Sequence, residues 1–272
     1  MYRLLSLAAA VAVLAPAAAA VTVDSFTGDL RFQQECNNKT PGGTSQDCEA
    51  AVGEIRSGDG AGNAQDELLI NVPLQPNGVG FRAKDGQNVP WVAERAYDLS
   101  FAHDGGDGLT LSLTDTITAS TVSSAFDLDD EAAANGGSDP AGLIRVTDAK
   151  SLYIRTAARD GLETSVALNG LSLTNLDTGL TSAIGSVFSN SRSTATGTDE
   201  QYLVVSDFDW AAQWVLTGQL IFDFEPGQLP SGSNLNVGLK LTDVVQPVPL
   251  PTGAVLLLSA LVGIGILQAR RR

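Results

Sequence analysis

The sequence predicts an all-β protein, an antiparallel β-sandwich of jelly-roll-like form, with a secretory signal at one end and a short membrane helix at the other. Three observations predict it. Apolar residues recur at every second position over much of the chain, glycine-rich turns separate those stretches, and both ends carry apolar runs with arginine beside them. Period-two alternation marks strands with one buried face, and many short strands joined by such turns stack as two sheets.

The first element is "MYRLLSLAAAVAVLAPAAAA". Arg3 precedes an apolar stretch from Leu4 to Leu14, and small residues follow, with Ala18 and Ala20 in an A-x-A arrangement. That is the layout of a signal peptide over residues 1–20, cut after Ala20. The run is too short for a transmembrane anchor, so signal peptidase and the secretion translocon are expected partners.

The body follows as one extracellular domain over residues 21–246. Of 16 Lys and Arg in the chain, Arg3, Arg270, Arg271 and Arg272 lie in the end segments, which leaves 12 against 31 acidic residues and a body charge of −19. Such a charge disfavours nucleic acid and anionic lipid. It suits a soluble surface outside the cell, or one that collects divalent cations.

Cys36 and Cys48 are the only cysteines, twelve apart in "CNNKTPGGTSQDC". In an exported chain an even pair reads as a disulfide, which stabilises a loop of this size by about 3 kcal/mol in the chain-entropy model. A zinc site needs two more ligands, and the single histidine, His103, is far off in sequence. The same loop holds Asn38-Lys39-Thr40, an N-glycosylation pattern.

Strands come next. In "QWVLTGQLIFDFE", Trp214, Leu216, Leu220, Phe222 and Phe224 share one parity, with Thr217, Gln219, Asp223 and Glu225 between them. Leu235, Val237, Leu239 and Leu241 alternate with Asn234, Asn236 and Lys240. Tyr97, Leu99 and Phe101 precede "HDGGDG", and Leu109, Leu111 and Leu113 follow it. "HDGGDG" and "ARDGLE" read as hairpin turns, and "ELLINV", "LIRVT", "SLYIRTA" and "YLVVSDF" as further strands. "DDEAAAN" and "TSAIGSVF" are the candidate short helices. "SNSRSTATGT", from Ser189 to Thr198, is a polar loop and a candidate for O-linked glycan.

Chemistry is sparse. A Ser–His–Asp triad needs a histidine, and His103 sits in a turn-like, Asp-rich stretch that reads as surface. The chain has no P-loop, dinucleotide fingerprint, HExxH or CxxC. Carboxylates are plentiful enough for a glycosidase pair, but nothing singles out two of them. For calcium, "HDGGDGLTL" misplaces the aspartate of a nonapeptide repeat. "DLDDEAAANGGS" lacks the EF-hand glycine and final glutamate. Asp127, Asp129 and Asp130 are the first candidates for Ca2+ through loop carboxylates. Trp91 and Trp210 are the candidates for an exposed sugar-stacking platform, whereas the parity of Trp214 places it in the core.

The last element is "VPLPTGAVLLLSALVGIGILQARRR". The apolar run from Gly253 to Leu267 is 15 residues, about 22 Å as an α-helix, against about 30 Å of bilayer core. Ser259 is its single polar residue, unlike a buried core helix with polar positions every turn. Arg270, Arg271 and Arg272 would hold that end in the cytoplasm.

This tail, residues 247–272, resembles the PEP-CTERM class of sorting signals, and more closely its V-P-L-P-A variant, here Val248, Pro249, Leu250 and Pro251, with Thr252 in place of Ala. Gln268 and Ala269 separate the helix from the arginines. The resemblance implies a bacterial, inner-membrane-anchored precursor, cleaved by an exosortase-type membrane protease and passed to the cell surface or extracellular matrix. The two prolines keep the motif extended, as a protease needs its substrate. "EQYLVVSDFDWAAQWVLTGQLIFDFE" resembles the final strands of choice-of-anchor domains, the W type above all, which implies surface location and matrix association. Two functions follow as expectations. One is a non-catalytic surface or matrix protein that adheres to extracellular polysaccharide, with Ca2+ bridging acidic surfaces. The other is a secreted carbohydrate-active hydrolase using two carboxylates.

Overall fold

The computed structural model describes residues 21–28, 48–57, 67–73, 82–127, 144–159, 164–191, 198–225 and 234–244. The signal peptide and the tail, with Val248–Thr252 and the three arginines, lie outside them. Among the described residues no helix is long and apolar enough to cross a membrane.

Two antiparallel sheets stack face to face. The seven-stranded sheet runs, in spatial order, β1 (Thr22–Thr27), β11 (Asp199–Ser206), β8 (Ser151–Ala158), β13 (Leu235–Thr242), β2 (Glu49–Arg56), β3 (Glu67–Pro73) and β4 (Arg82–Asn88). The six-stranded sheet runs β10 (Leu180–Asn190), β9 (Ser165–Asn175), β12 (Trp214–Asp223), β5 (Ala96–His103), β6 (Gly108–Asp115) and β7 (Thr121–Asp127).

Alternation does what the sequence says it does. Tyr97, Leu99, Phe101, Leu109, Leu111, Leu113, Leu216, Leu220, Phe222, Leu235, Val237, Leu239 and Leu241 all enter one core between the sheets. Burying each large side chain stabilises by about 1.5–3 kcal/mol before entropy. The sheets meet closely at Gly53, where a Cβ would stand 3.3 Å from Leu111 Cδ2 and 3.5 Å from Phe101 Cε2.

"HDGGDG" is the β5–β6 turn. The Asp104 carboxylate accepts the Gly106 amide at 2.8 Å and the Gly108 amide at 3.2 Å, while Gly105 supplies φ +87°. Three expectations are corrected. "TSAIGSVF" is not a helix but the body of β10. A bulge at Gly185, with φ +114°, puts Ile184 and Val187 both inward at a gap of three, which imitates helical spacing. "ARDGLE" is no hairpin, because β8 and β9 belong to different sheets. "LIRVT" yields a 3-10 turn at Val146–Asp148 instead of a strand. "DDEAAAN" lies outside the described residues.

Candidate adhesive face

The two expected platform tryptophans are structural. Trp91 is 9% exposed and Trp210 is 2% exposed. Trp91 plugs one end of the sandwich: it packs on Phe222 at 4.6 Å and edge-on to Tyr97 at 5.2 Å, and its Nε1 donates to the Arg56 carbonyl at 3.0 Å. Trp210 stands edge-on to Trp214 at 5.6 Å, and Trp214 Nε1 donates to the Trp210 carbonyl at 3.3 Å. The reason is geometric. A sandwich is open at its ends, and large flat residues from the connecting loops close them.

His103 is likewise not a surface residue. It is the last residue of β5, 2% exposed, with its ring 5.7 Å from that of Trp214. Nδ1 lies 2.9 Å from the Ala212 carbonyl oxygen and Nε2 lies 2.7 Å from that of Gly106. The ring ties the β5–β6 turn to the loop before β12. Both nitrogens face carbonyl oxygens, and the one that carries the N–H donates it, which suits a brace.

The outer face of the seven-stranded sheet is largely buried around β8 and β11. Tyr153, Tyr202 and Val204 form a second apolar cluster there, with Phe26 stacked on Tyr202 at 4.7 Å. Described charges there form ion pairs, which offsets the cost of drawing them away from water. Glu200 accepts Arg155 at 2.5 Å and Arg159 at 2.8 Å, and Lys240 reaches Glu49 at 2.8 Å.

The outer face of the six-stranded sheet is open, and register sorts it into rows running across the strands. One row is apolar: Phe188 opposes Ala167, Ala167 opposes Ile221, and Ile221 opposes Ala96. The next is polar: Asn169, Gln219, Asp98, Thr114 and Thr121. Then come Ser172, Thr217, Ser100, Ser112 and Ser123, and after them Thr174, Val215, Ala102, Thr110 and Ala125. Hydroxyls bond across strands at 2.8 Å between Thr114 and Thr121 and at 3.0 Å between Ser172 and Thr217. Asp98 is the one charged side chain in these rows. Asp223 and Asp127, of the same outward parity, stand in the flanking rows, so the charge of this face lies mostly at its margins and its middle is nearly neutral on a body of charge −19.

Two hollows flank the six-stranded sheet. One, about 270 Å³, lies among Val89, Val92, Arg95, Tyr97, Leu113 and Asp115. Burial alone would raise the Asp115 carboxyl, but the Ile117 and Thr118 amides it accepts and the Arg95 guanidinium at 2.6 Å outweigh that, and it is lowered to about 2. Burial also raises the Tyr97 hydroxyl above its ordinary value. The other hollow, about 380 Å³, is an open groove lined by His103, Asp104, Thr110, Phe126 and Asp127.

Of the candidate calcium residues, Asp127 ends β7 at the mouth of that groove; Asp129 and Asp130 lie outside the described residues. Among the described residues, no group of three or more His, Cys, Asp or Glu is placed to hold a metal ion. Cys48 is fully buried and disulfide-bonded; Cys36 lies outside the described residues.

Sequence reasoning missed Phe188, Asn169 and Gln219 as one surface. Their signal was the off-parity positions of the strands, which carry Ser, Thr and amides in place of Lys and Glu. Reading "TSAIGSVF" as a helix removed Phe188 from that pattern. The chain matches no protein-family model, and no curated protein matches it.

Proposed function

We propose that this chain is a non-catalytic bacterial surface or matrix protein, exported by its first twenty residues and adhesive through its β-sandwich. In this reading the tail helix and Arg270–Arg272 hold an inner-membrane precursor. An exosortase-type protease then cuts at Val248–Thr252 and passes the body to the surface or matrix. In this reading the sandwich is jelly-roll-like, which the exchange of β7 to β13 between the two sheets supports. Ca2+ bridging of acidic loops, Asp127, Asp129 and Asp130 included, is a further part of the reading.

The observation that carries the adhesive role is the open outer face of the six-stranded sheet, whose middle rows hold Asp98 as their one charge while Asp223 and Asp127 stand at the margins, on an otherwise acidic body. Acidic proteins repel one another and polyanions alike, so a neutral face is where contact costs least. A second reading, a hydrolase working through two carboxylates, has one observation in its favour: Asp104 and Asp127 line the same groove. Against it, Asp104 already accepts two turn amides, and neither Trp91 nor Trp210 walls that groove.

The test is intact mass and C-terminal peptide mapping of the protein recovered from the host's surface and medium. A chain ending near Val248–Pro251 is expected. A full-length tail confined to the membrane fraction would make it a plain anchor and end the exosortase reading.

A further inference from the structure

We infer that the open face of the six-stranded sheet binds an uncharged glycan lying across the strands, its sugar faces on Phe188 and Ile221 and its hydroxyls on Asn169, Gln219 and Asp98. This rests on the adhesive reading above and names its partner.

The apolar row is the first support. Phe188 is 52% exposed, and it is the one aromatic among the large exposed hydrophobics of the described residues. Aromatic rings cover apolar area with little loss of freedom, and the CH face of a pyranose is such an area. Strands are spaced about 4.8 Å apart, so the row from Phe188 to Ala96 extends about 14 Å, room for a short stretch of glycan.

The polar row is the second. Residues two apart on a strand are separated by about 6.7 Å, so a ring resting on the apolar row carries its equatorial hydroxyls toward Asn169, Gln219 and Asp98. The Asn169 and Gln219 amides can both donate to and accept from hydroxyls, and the Asp98 carboxylate accepts from them. Gln219 Nε2 points at Asp98 Oδ1, 3.5 Å away, which orients both side chains along the row.

The third support is the backbone. Two bulges fall beside these residues. One lies between Thr217 and Gln219 on the β12–β9 pairing, where Gly170 has φ +59°, and the other lies at Gly185 on β10. Gly170 donates its amide to Ser186 Oγ at 3.0 Å, which fixes the bulged segment between Asn169 and Phe188. Bulges re-aim side chains, and these two set the directions of Asn169 and Phe188.

Charge selects the class of glycan. The face offers no Lys or Arg in these rows to meet a uronate or sulfate, and Asp98 with the body's net charge repels one. An uncharged glycan meets neither obstacle.

The full-length protein, purified in detergent, is run in native gels cast with soluble neutral glucans, or with alginate as the polyanion, each with Ca2+ or with EDTA. Retardation by at least one neutral glucan, equal in Ca2+ and EDTA, is expected. Phe188→Ala and Gln219→Ala should each weaken it at least fivefold while leaving the thermal midpoint within a few degrees. Ser123→Ala, at the far edge of the face, should leave retardation unchanged and controls for general effects. If Phe188→Ala does not fold, Gln219→Ala alone decides. No retardation by any neutral glucan, or wild-type retardation of Gln219→Ala, overturns the inference. Retardation by alginate alone, abolished by EDTA, also overturns it but keeps calcium-bridged adhesion. An uncleaved tail in the mapping experiment bears on export alone.

Discussion

Leu171 occupies the space in which a side chain on Gly218 would stand: a Cβ there would lie 2.7 Å from Leu171 Cδ2 and 3.1 Å from the Asn169 carbonyl oxygen. Leu171 is 1% exposed and cannot swing away, and the carbonyl is backbone. Gly218→Ala should therefore lower stability by about 1–3 kcal/mol, the usual cost of overpacking a filled core. Urea unfolding of the pair of proteins measures it. An unchanged midpoint would mean that the bulge opens without cost.

His103 stands between two carbonyls brought together by folding, and its ring N–H is the donor that one of them accepts. A neutral imidazole carries one N–H, and its tautomer decides whether Ala212 or Gly106 receives it. His103→Phe keeps ring volume beside Trp214 and removes the donor. We expect a loss of about 1–3 kcal/mol, the cost of a buried acceptor left without a partner. Loss of amide exchange protection should concentrate at the β5–β6 turn and the loop before β12. A uniform change across the sandwich would argue against the brace.

Asp115 titrates lower in the folded chain, at about 2, than its ordinary 3.8. A depressed carboxyl stabilises the fold fully above its ordinary value, and that contribution fades as pH falls through about 2. Asp115→Asn should therefore be less stable than wild type at pH 7, and the gap should close between about pH 4 and pH 2. Chemical denaturation across that range reads the gap directly. A gap independent of pH would assign the effect to packing against Arg95 and not to charge.

Trp91→Phe separates core from platform. The variant loses the Nε1 bond to the Arg56 carbonyl and part of the packing on Phe222, for about 1–3 kcal/mol. Glycan retardation should be unchanged, because the ring faces the core. A stable Trp91→Phe protein with weakened retardation would restore the platform that the sequence suggests.

Particular residues show how far the sequence can be read. Leu235–Thr242 and Trp214–Asp223 were legible because their alternation is a local consequence of one buried sheet face. The same logic failed at Ile184 and Val187, where one extra residue in a bulge shifts the phase. Loop position misled at Trp91 and Trp210, and the Asp- and Gly-rich turn after His103 hid that this residue continues the inward parity of Tyr97, Leu99 and Phe101. Trp91 and Trp210 lie between strands, where exposure is the default, yet loop residues that close the ends of a sandwich are buried by elements distant in sequence.

The sequence by itself determined the all-β class, the positions of most strands and the inward parity of their apolar residues, because a strand's two faces are written every second residue. It also determined the acidity of the body. Beyond the β5–β6 hairpin that "HDGGDG" marks, which strands lie side by side was decided by the tertiary structure alone. β12 lies between β9 and β5, and that placement aligns Phe188, Ala167, Ile221 and Ala96 into one row and Asn169, Gln219 and Asp98 into the next. A surface assembled from six strands has no period in the chain, since its neighbours are set by long-range pairing and packing between sheets.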